Sequence, residues 1–331
     1  MGEIGEWGLL DTIIPRISST VRNRFMVGPG DDAAILKTSA RNILSIDGLV
    51  EGTHFEMKWA RDFSGHYGFS FGRGLGWKLM GSCLSDLAAM GASKNRWVLL
   101  FLGAPPGTKA KFLEEIFQGI QESARSFNCV VAGGDTVQSK VLTLVAAVGG
   151  ELEGDRPLTR KGARAGDLLC LAGLVGDASL GLAVQKGRGP NLSPAQKKYF
   201  VKKFYKHLPM FAAGKILQKE KRVTALLDLS DPLDQSVRIL ARASKVGLEV
   251  NLERIPRSKF FQSLPRKPAF AEMGGEDYSL LFTARTEALT RLARSMRFAV
   301  IGKVLDFKKG VRFLLKGREM ESFPLTFQHF R

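Results

Sequence analysis

Aspartates recur through this sequence in glycine-rich turns and at the ends of apolar segments. They are Asp31 and Asp32 after Gly28-Pro29-Gly30, Asp47 after Leu44-Ser45-Ile46, Asp135 after Gly133-Gly134, and both acids of Asp228-Leu229-Ser230-Asp231. Acids at strand ends converge on the rim of a sheet, where their oxygens suit hard cations such as Mg²⁺ that bridge to substrate phosphates. Each motif alone is better explained by an Asp that caps a helix or closes a turn. A shared metal site is therefore a hypothesis about the whole set.

Asp86 differs from the other acids because it interrupts an apolar helical pattern, Cys83-Leu84-Ser85-Asp86-Leu87-Ala88-Ala89-Met90. An unpaired buried carboxylate is costly. Asp86 therefore either faces solvent on an otherwise buried helix or points at a metal or a cationic partner. The pattern favours the second interpretation.

Several glycine-rich and basic motifs suit phosphate binding. Backbone N–H groups at Gly133-Gly134 would approach a phosphate closely, and a helix after Gly173-Leu174-Val175-Gly176 would present its N-terminus to an anion. Arg160, on a predicted loop, has the planar fork that binds polyphosphates. Glu276, in Gly274-Gly275-Glu276-Asp277-Tyr278, would hold a hydroxyl, an amine or a cationic ring. In isolation each motif is more simply a turn, a cap or a surface side chain.

Common phosphate and metal signatures are missing from the sequence. It contains no GxxxxGK[ST] loop, and Gly72-Arg73-Gly74-Leu75-Gly76 fails the GxGxxG spacing. Histidine occurs four times, at His54, His66, His207 and His329, which leaves little material for zinc sites or Ser-His-Asp hydrolysis. Among them, His54 is close to Asp47 in the sequence.

The net charge of +17 is concentrated in the second half of the chain. Residues 1–150 hold 15 Lys and Arg against 14 Asp and Glu, whereas residues 151–331 hold 34 against 18. Nucleic acid, an anionic membrane or phosphorylated small molecules would all explain this sign. Aromatic residues are not interleaved with the basic ones as in a single-strand binding face, so nucleic acid is the weaker explanation. The Lys-rich segment 197–206 reads as a solvated helix face.

Cysteine usage and the N-terminus predict a soluble cytoplasmic protein. Cys83, Cys129 and Cys170 are widely spaced, form no CxxC pair and lie in apolar stretches, as expected for buried thiols in a reducing compartment. Glu3 and Glu6 stand where a signal peptide would carry positive charge, and no apolar run reaches membrane-spanning length.

Apolar patterning predicts alternating strands and helices. The predicted strands are Asn42–Ile46, Cys129–Ala132, Val141–Val148, Asp167–Ala172 and Ala225–Leu227; the predicted helices are Gly76–Met90, Lys109–Phe127, Ala178–Gln185, Asp234–Val246 and Thr286–Ser295. The length of 331 residues, with 44% hydrophobic residues and 36 glycines, suits a two-domain α/β enzyme. The charge shift and the Gly-rich stretch 149–155 predict domains at residues 1–150 and 151–331.

Taken in order, these motifs resemble those of the thiamine-monophosphate kinases, a family of the aminoimidazole-ribonucleotide-synthetase superfamily. The matching motifs are Gly30-Asp31-Asp32-Ala33-Ala34, Asp47 to His54-Phe55, Leu84–Ala92, Gly133-Gly134-Asp135-Thr136, Leu158-Thr159-Arg160, Asp228-Leu229-Ser230-Asp231 and Gly274-Gly275-Glu276-Asp277-Tyr278. The resemblance implies an α/β (α+β), PurM-like fold with an N-terminal ATP/Mg²⁺-binding and dimerisation domain and a C-terminal α/β domain. It also implies a homodimer that pairs through the first sheet, several Mg²⁺ ions, and K⁺ as a further candidate ion.

The resemblance further implies direct in-line transfer of the ATP γ-phosphoryl group to thiamine monophosphate, without a protein nucleophile. By matching position, the expected metal ligands are Asp32, Ser45, Ile46, Asp47, Asp86, Asp135, Asp228 and Asp231. The expected ATP contacts are Gly134, Asp135, Arg160 and Ser230, and the expected substrate contacts are His54, Glu276 and Phe327.

The sequence departs from the family pattern at a few positions. Ile46 and Gly48 stand where Thr is usual, Pro232 replaces a Gly after Asp231, and the segment 57–76 is longer than usual. Two alternatives therefore stay open: another ATP-using enzyme of the superfamily, and a non-catalytic nucleotide-binding or RNA-binding relative. A selenide-using member would be expected to carry a reactive Cys near the N-terminus, and no Cys precedes Cys83.

Overall fold

A computed structural model describes residues 25–27, 34–36, 41–63, 66–154, 156–264 and 275–320. The first half of the chain builds a six-stranded sheet in the order β1-β2-β3-β6-β4-β5. Its strands are β1 Phe25–Val27, β2 Ala34–Leu36, β3 Asn42–Val50, β4 Ala92–Ala104, β5 Cys129–Gln138 and β6 Thr143–Leu152. Neighbouring strands are antiparallel except for the parallel pair β4–β5. Strand β5 is an edge, paired with β4 only.

Helix α1, Phe71–Met90, packs across this sheet and is buried along almost its whole length. Ser70 caps its first turn by accepting the N–H of Arg73, and Gly91 ends it in the left-handed conformation at φ 87°. Helix α2, Ala110–Ser126, packs against α1. The two helices approach closely at glycines: a Cβ on Gly76 would lie 2.0 Å from the carbonyl oxygen of Ile116. Glycine is therefore required at that crossing for packing.

The second half builds a seven-stranded sheet in the order β13-β12-β9-β11-β7-β10-β8. Its strands are β7 Leu168–Ala172, β8 Val223–Asp228, β9 Gly247–Asn251, β10 Leu280–Ala284, β11 Ala299–Leu305, β12 Val311–Leu315 and β13 Arg318–Glu319. The helices of this half are α3 Asp177–Gln185, α4 Pro194–Tyr205, α5 Phe211–Lys219, α6 Leu233–Ser244, α7 Lys259–Gln262 and α8 Thr286–Ser295. Short 3₁₀ helices cover Met57–Phe63, Leu252–Arg254 and Phe307–Lys309.

The two halves share apolar and polar contacts. Val201, Phe204 and Tyr205 of α4 are fully buried within the hydrophobic cluster of the first sheet. Ser85 on α1 donates a hydrogen bond of 2.6 Å to the Asp228 carboxylate at the end of β8. Side chains from beyond residue 151 thus complete the first core, and the division into domains at residue 150 stays a prediction.

The predicted helices all occur, with ends shifted by up to five residues. The five predicted strands also occur, but the predicted ends of two of them are wrong. Asp47 lies inside β3, because its pairing with β6 continues to Val50, and Asp135 lies inside β5, because its pairing with β4 continues to Gln138. Helices α5 and α7 are additions to the predicted set, and α4 covers most of the Lys-rich segment that was interpreted as a helix face.

All three cysteines are buried and free, as predicted. Burial raises the pKa of Cys129 to about 11 and that of Cys170 to about 12. Within the described ranges, none of the helices combines the length and the apolar character needed to cross a bilayer.

Candidate functional site

A cleft of about 430 Å³ lies between the two halves of the molecule. Nine of the predicted site residues line it: Ser45, Ile46, Asp47, His54, Asp86, Arg160, Ser230, Asp231 and Glu276. They come from β3, the turn after it, α1, and three separate segments of the second half. The structure therefore brings together residues that are more than 200 positions apart in the sequence.

Strand β3 and helix α1 place three of these side chains against one another. Ser45 and Asp47 are two positions apart in the strand and so share the face that α1 covers. On α1, Ser82 and Asp86 are four positions apart and share one helical face. The Ser45 hydroxyl donates to Oδ2 of Asp86 at 2.5 Å, whereas the Ser82 hydroxyl donates to the Leu79 carbonyl at 2.9 Å. The Asp86 carboxylate is thus oriented by a serine of the facing strand.

Burial controls the charge of Asp47. Desolvation raises the pKa of its carboxyl group, and the Ser82 hydroxyl, the Gly48 N–H at 2.7 Å and nearby His54 and Lys78 partly oppose this rise. A divalent cation in the cleft would favour the ionised form of Asp47, so cation binding would release a proton from this group.

Asp228 and Asp231 occupy different environments. Asp228, the last residue of β8, is 1% exposed and is held by Ser85 behind the cleft wall. Asp231 lines the cleft itself. Pro232, the unusual residue after it, is the N-cap of α6, and its carbonyl accepts the N–H of Ser236 at 2.9 Å. A proline is well tolerated at a helix start, so this departure from the family pattern leaves the local backbone intact.

Lys78 is buried behind the cleft and pairs with a residue of its lining, and the sequence reasoning missed it. Its side chain is 1% exposed, and its Nζ lies 2.6 Å from Oε2 of Glu276 and 3.9 Å from the centre of the Phe204 ring. The ion pair joins α1 of the first half to the segment after residue 274. A lysine inside the apolar pattern of Gly76–Met90 was the available signal, because a buried ammonium needs a partner.

The segment that carries Glu276 has a strained backbone. Glu276 and Tyr278 have positive φ angles of 60° and 50°, which are uncommon for residues with a side chain. Two hydrogen bonds hold them, from Glu276 N–H to the Ser230 carbonyl at 2.7 Å and from Tyr278 N–H to the Leu229 carbonyl at 3.0 Å. Strain of this kind is retained where the surrounding structure fixes a functional side chain.

The N-terminus of α3, expected to face a bound anion, contacts a carboxylate of the chain itself. Asp277 accepts the N–H groups of Gly176 at 2.7 Å and Ala178 at 3.0 Å. Burial nevertheless raises the pKa of Asp277 to about 7. Asp177, at the start of the helix, accepts hydrogen bonds from Tyr199 and Ser258 instead. The Asp277 carboxylate therefore occupies the position at the Gly173–Gly176 turn where a bound anion was expected.

Four predicted residues lie elsewhere or outside the described part of the chain. Gly134 and Asp135 lie on the edge strand β5, are exposed, and do not line the cleft. Asp135 accepts the N–H of Thr136 at 2.8 Å. Asp32 and Phe327 fall outside the described residues.

The donor set of the cleft suits a hard cation. Asp47, Asp86 and Asp231 supply carboxylate oxygens, and Ser45 and Ser230 supply hydroxyls. Within the described ranges, no group of three or more His, Cys, Asp or Glu side chains is already gathered tightly enough to hold a metal ion. Mg²⁺ typically takes only one or two carboxylates and completes its shell with water and substrate phosphates. The residues present therefore fit Mg²⁺ bound together with a phosphorylated ligand.

Comparison with known proteins decides the family. Residues 30–152 match the family model of the AIR synthase related protein, N-terminal domain. Over 314 residues the chain is 30% identical to the thiamine-monophosphate kinase of Buchnera aphidicola subsp. Acyrthosiphon pisum, and the match covers 92% of each protein. The chain belongs to the thiamine-monophosphate kinase family.

Other members of the thiamine-monophosphate kinase family match over nearly the full length. The kinase of Aquifex aeolicus strain VF5 is 28% identical over 335 residues, which cover 99% of each protein. The solved structure of AaThiL complexed with AMPPCP and TMP aligns with a TM-score of 0.83 at 27% identity, over 100% of this chain and 98% of that one. The predicted family and the predicted PurM-like α/β fold are confirmed.

Proposed function

We propose that this protein transfers the γ-phosphoryl group of ATP to the phosphate of thiamine monophosphate, which gives thiamine diphosphate and ADP. One observation carries the proposal: an acid-lined cleft between the two halves collects nine residues that match the motifs of the thiamine-monophosphate kinase family. The relative AaThiL was solved with an ATP analogue and TMP.

The acceptor phosphate needs little activation by the protein. The second pKa of a phosphate monoester is about 6, so the group is mostly dianionic near neutral pH. The main barrier is repulsion between two anions that must come within bonding distance. Asp47, Asp86 and Asp231 would hold Mg²⁺ ions that neutralise this charge, and Arg160 would add a fixed cation. The protein then contributes chiefly alignment and charge compensation.

The other end of the substrate would be recognised by charge and shape. Glu276 lines the cleft next to His54, and its carboxylate suits the cationic thiazolium ring of a thiamine compound. Lys78 would set the position of Glu276 and limit its net charge. His54 is oriented through Nδ1, which accepts the N–H of Val50 at 3.0 Å. Ser230 would contact ATP on the opposite wall.

We further propose a homodimer that pairs through the first sheet. The outer surface near β5 exposes five large apolar side chains: Leu99, Phe101, Val130, Val131 and Val137. An apolar surface beside an unpaired strand edge is typical of a protein interface. Asp135 pairs with Phe101 across the strands, so a second copy on this surface would bring new groups to Asp135 and Gly134. Sedimentation at micromolar concentration should then give twice the 36.3 kDa of one chain.

A direct assay tests the kinase proposal. The purified protein is incubated with ATP, Mg²⁺ and thiamine monophosphate, and thiamine diphosphate is quantified by chromatography. Product should accumulate with time and should disappear when EDTA removes the metal. Absence of product across a range of Mg²⁺ and K⁺ concentrations, with a folded protein by circular dichroism, would overturn the proposal.

Cytoplasmic location is likewise proposed, on the basis of the three buried free thiols.

A further inference from the structure

A second cavity, of about 480 Å³, lies at the end of β8 opposite to the cleft. Val223 and Thr224, the first residues of β8, line it, whereas Asp228, the last residue of the strand, contacts α1 behind the cleft. At about 3.3 Å per residue the two ends of this strand are about 17 Å apart. The two cavities share no lining residue.

The charge of this second cavity is strongly positive. Among the described residues, its lining contains five basic residues and no acidic one, and we call it the basic cavity: Arg156, Arg164, Lys221, Arg222 and Arg285. Like charges around a concave surface repel one another, so their convergence costs free energy until an anion neutralises them. The basic cavity also accounts for part of the positive charge of the second half, which the kinase cleft does not use.

Two of the five basic side chains are held by hydrogen bonds or ion pairs within the protein. The Arg156 guanidinium donates to four backbone carbonyls, including those of Glu220 at 2.9 Å and Val223 at 2.8 Å. Arg222 lies 3.9 Å from the carboxylate of Glu220, which also binds Arg291. These contacts fix the wall of the cavity.

The other three basic side chains are uncommitted. In the part of the chain that the structure describes, the side chains of Arg164, Lys221 and Arg285 make no ion pair or hydrogen bond, and all three residues are exposed. Their backbone is nonetheless fixed, because Arg285 N–H donates to the Arg222 carbonyl at 3.1 Å and Arg164 N–H donates to the buried Asp167 carboxylate at 2.9 Å. Asp167 and Glu220 are the acids behind the wall, so five cations face two acids.

We propose that the basic cavity binds a compact polyanion with two or more phosphate groups, such as inorganic triphosphate, at a site separate from the kinase cleft. Arginine forks bind phosphate oxygens in pairs, and the cavity volume is in the range of small-molecule sites. Its lining includes no aromatic side chain on which a base could stack. The phosphate groups are thus the recognised part of the ligand, and an extended nucleic acid fits less well.

Isothermal titration with sodium triphosphate in the presence of EDTA tests this site. Without a divalent cation the acidic cleft repels phosphates, so one binding event per chain is expected from the basic cavity alone. The triple variant Arg164→Ala/Lys221→Ala/Arg285→Ala should weaken the affinity at least about 10-fold, because charge-assisted hydrogen bonds are lost. Kinase turnover of this variant should match the wild type, which shows that the cleft is intact.

The matched control removes three positive charges from another exposed surface. Lys197→Ala/Lys198→Ala/Lys202→Ala changes the outer side of α4 by the same amount and should leave triphosphate affinity within about 2-fold of the wild type. An equal loss in both triple variants would mean non-specific attraction and would overturn the proposal. Absence of binding to the folded wild type would overturn it too.

A single-stranded RNA titrant distinguishes the remaining source of phosphate. Preferential binding of a 20-nucleotide RNA over triphosphate, with a steep salt dependence and an equal loss in both triple variants, would identify a broad nucleic-acid surface and reject the proposed site. These titrations do not depend on turnover, so a failure here leaves the kinase proposal standing, and a failed kinase assay leaves this one standing.

Discussion

The cleft and the basic cavity both suit phosphate groups, yet their linings carry opposite charge. The cleft presents carboxylates, one of them oriented by Ser45, whereas the basic cavity presents guanidinium and ammonium groups at the surface. Carboxylates repel phosphate, so the proposed reaction in the cleft would depend on divalent cations, while the basic cavity would attract phosphate directly. The charge of a cavity lining thus indicates whether a phosphate group would need a cation in order to bind there. Metal dependence is therefore the property that separates the two sites.

The largest expected effect comes from Asp86→Asn. This change removes a carboxylate that we propose to bind metal, so it should lower kinase turnover on the order of 100-fold or more, while triphosphate binding in EDTA stays unchanged. The free energy of unfolding should change little, because Asn still accepts the hydrogen bond of Ser45. Steady-state kinetics and the titration described above measure both sites.

The control for this variant is Asp306→Asn, which alters an exposed carboxylate that caps a 3₁₀ helix far along the chain. Asn caps nearly as well as Asp, so neither site should respond. Full kinase activity of Asp86→Asn would show that Asp86 is not a metal ligand. It would also contradict the proposed difference in metal dependence between the two sites.

The second prediction concerns Lys78, a buried cation that supports the cleft. Lys78→Met leaves Glu276 without its partner and should lower the free energy of unfolding by about 3 kcal/mol, the typical effect of breaking a buried ion pair. The KM for thiamine monophosphate should rise more than the KM for ATP, because Glu276 loses its position. Urea unfolding and kinetics with each substrate varied in turn check these expectations.

A surface ion pair supplies the comparison for Lys78. Lys215 binds Glu153 at 2.8 Å, and both side chains are partly exposed to solvent, so Lys215→Met should leave the stability nearly unchanged. The double variant Lys78→Met/Glu276→Gln should recover part of the lost stability, since the unpaired carboxylate is gone. Equal stability of the two single lysine variants would contradict the role given to Lys78.

The last prediction is a pH dependence beside the cleft, at Asp277. Asp277 has a pKa raised to about 7 in the folded protein, above the value of 3.8 for a free side chain. The folded state therefore holds this proton more tightly, and the resulting stabilisation is complete below about pH 4 and disappears as the pH rises through 7. The slope should be about 1.4 kcal/mol per pH unit at most, because one proton is involved.

Asp277→Asn isolates this contribution. Subtracting the unfolding free energy of the variant from that of the wild type should give a difference that falls between pH 4 and pH 7. A difference that is constant over this range would show that Asp277 titrates normally.

Local patterns predicted the helices and the composition of the cleft, while long-range pairing decided the rest. Apolar periodicity along α2 and α8 lies within each segment itself, so the predicted bounds of these helices are close to those observed. The ends of β3 and β5 depend on how far β6 and β4 continue beside them, which no local pattern records. Asp47 and Asp135 were therefore wrongly assigned to strand ends.

The same limit explains which site residues were found. The order of the acidic motifs was sufficient to select nine residues that line one cleft, although their individual roles stay predictions. Lys78 was missed because its partner lies 198 positions away and a lysine is ordinarily solvent-exposed. The basic cavity was visible only as a charge excess in residues 151–331, since three distant segments form it.

The close crossing of α1 and α2 has a consequence for the precision of the cleft. Because Gly76 has no side chain, the backbones of α1 and α2 meet directly at the Ile116 carbonyl. This contact leaves little room for either helix to shift. At about 1.5 Å per residue, Asp86 lies about 15 Å further along the same rigid rod. The crossing therefore fixes the position of α1, and with it the position of the Asp86 carboxylate. Gly76, which has no side chain and does not line the cleft, thereby helps to fix the geometry of the cleft.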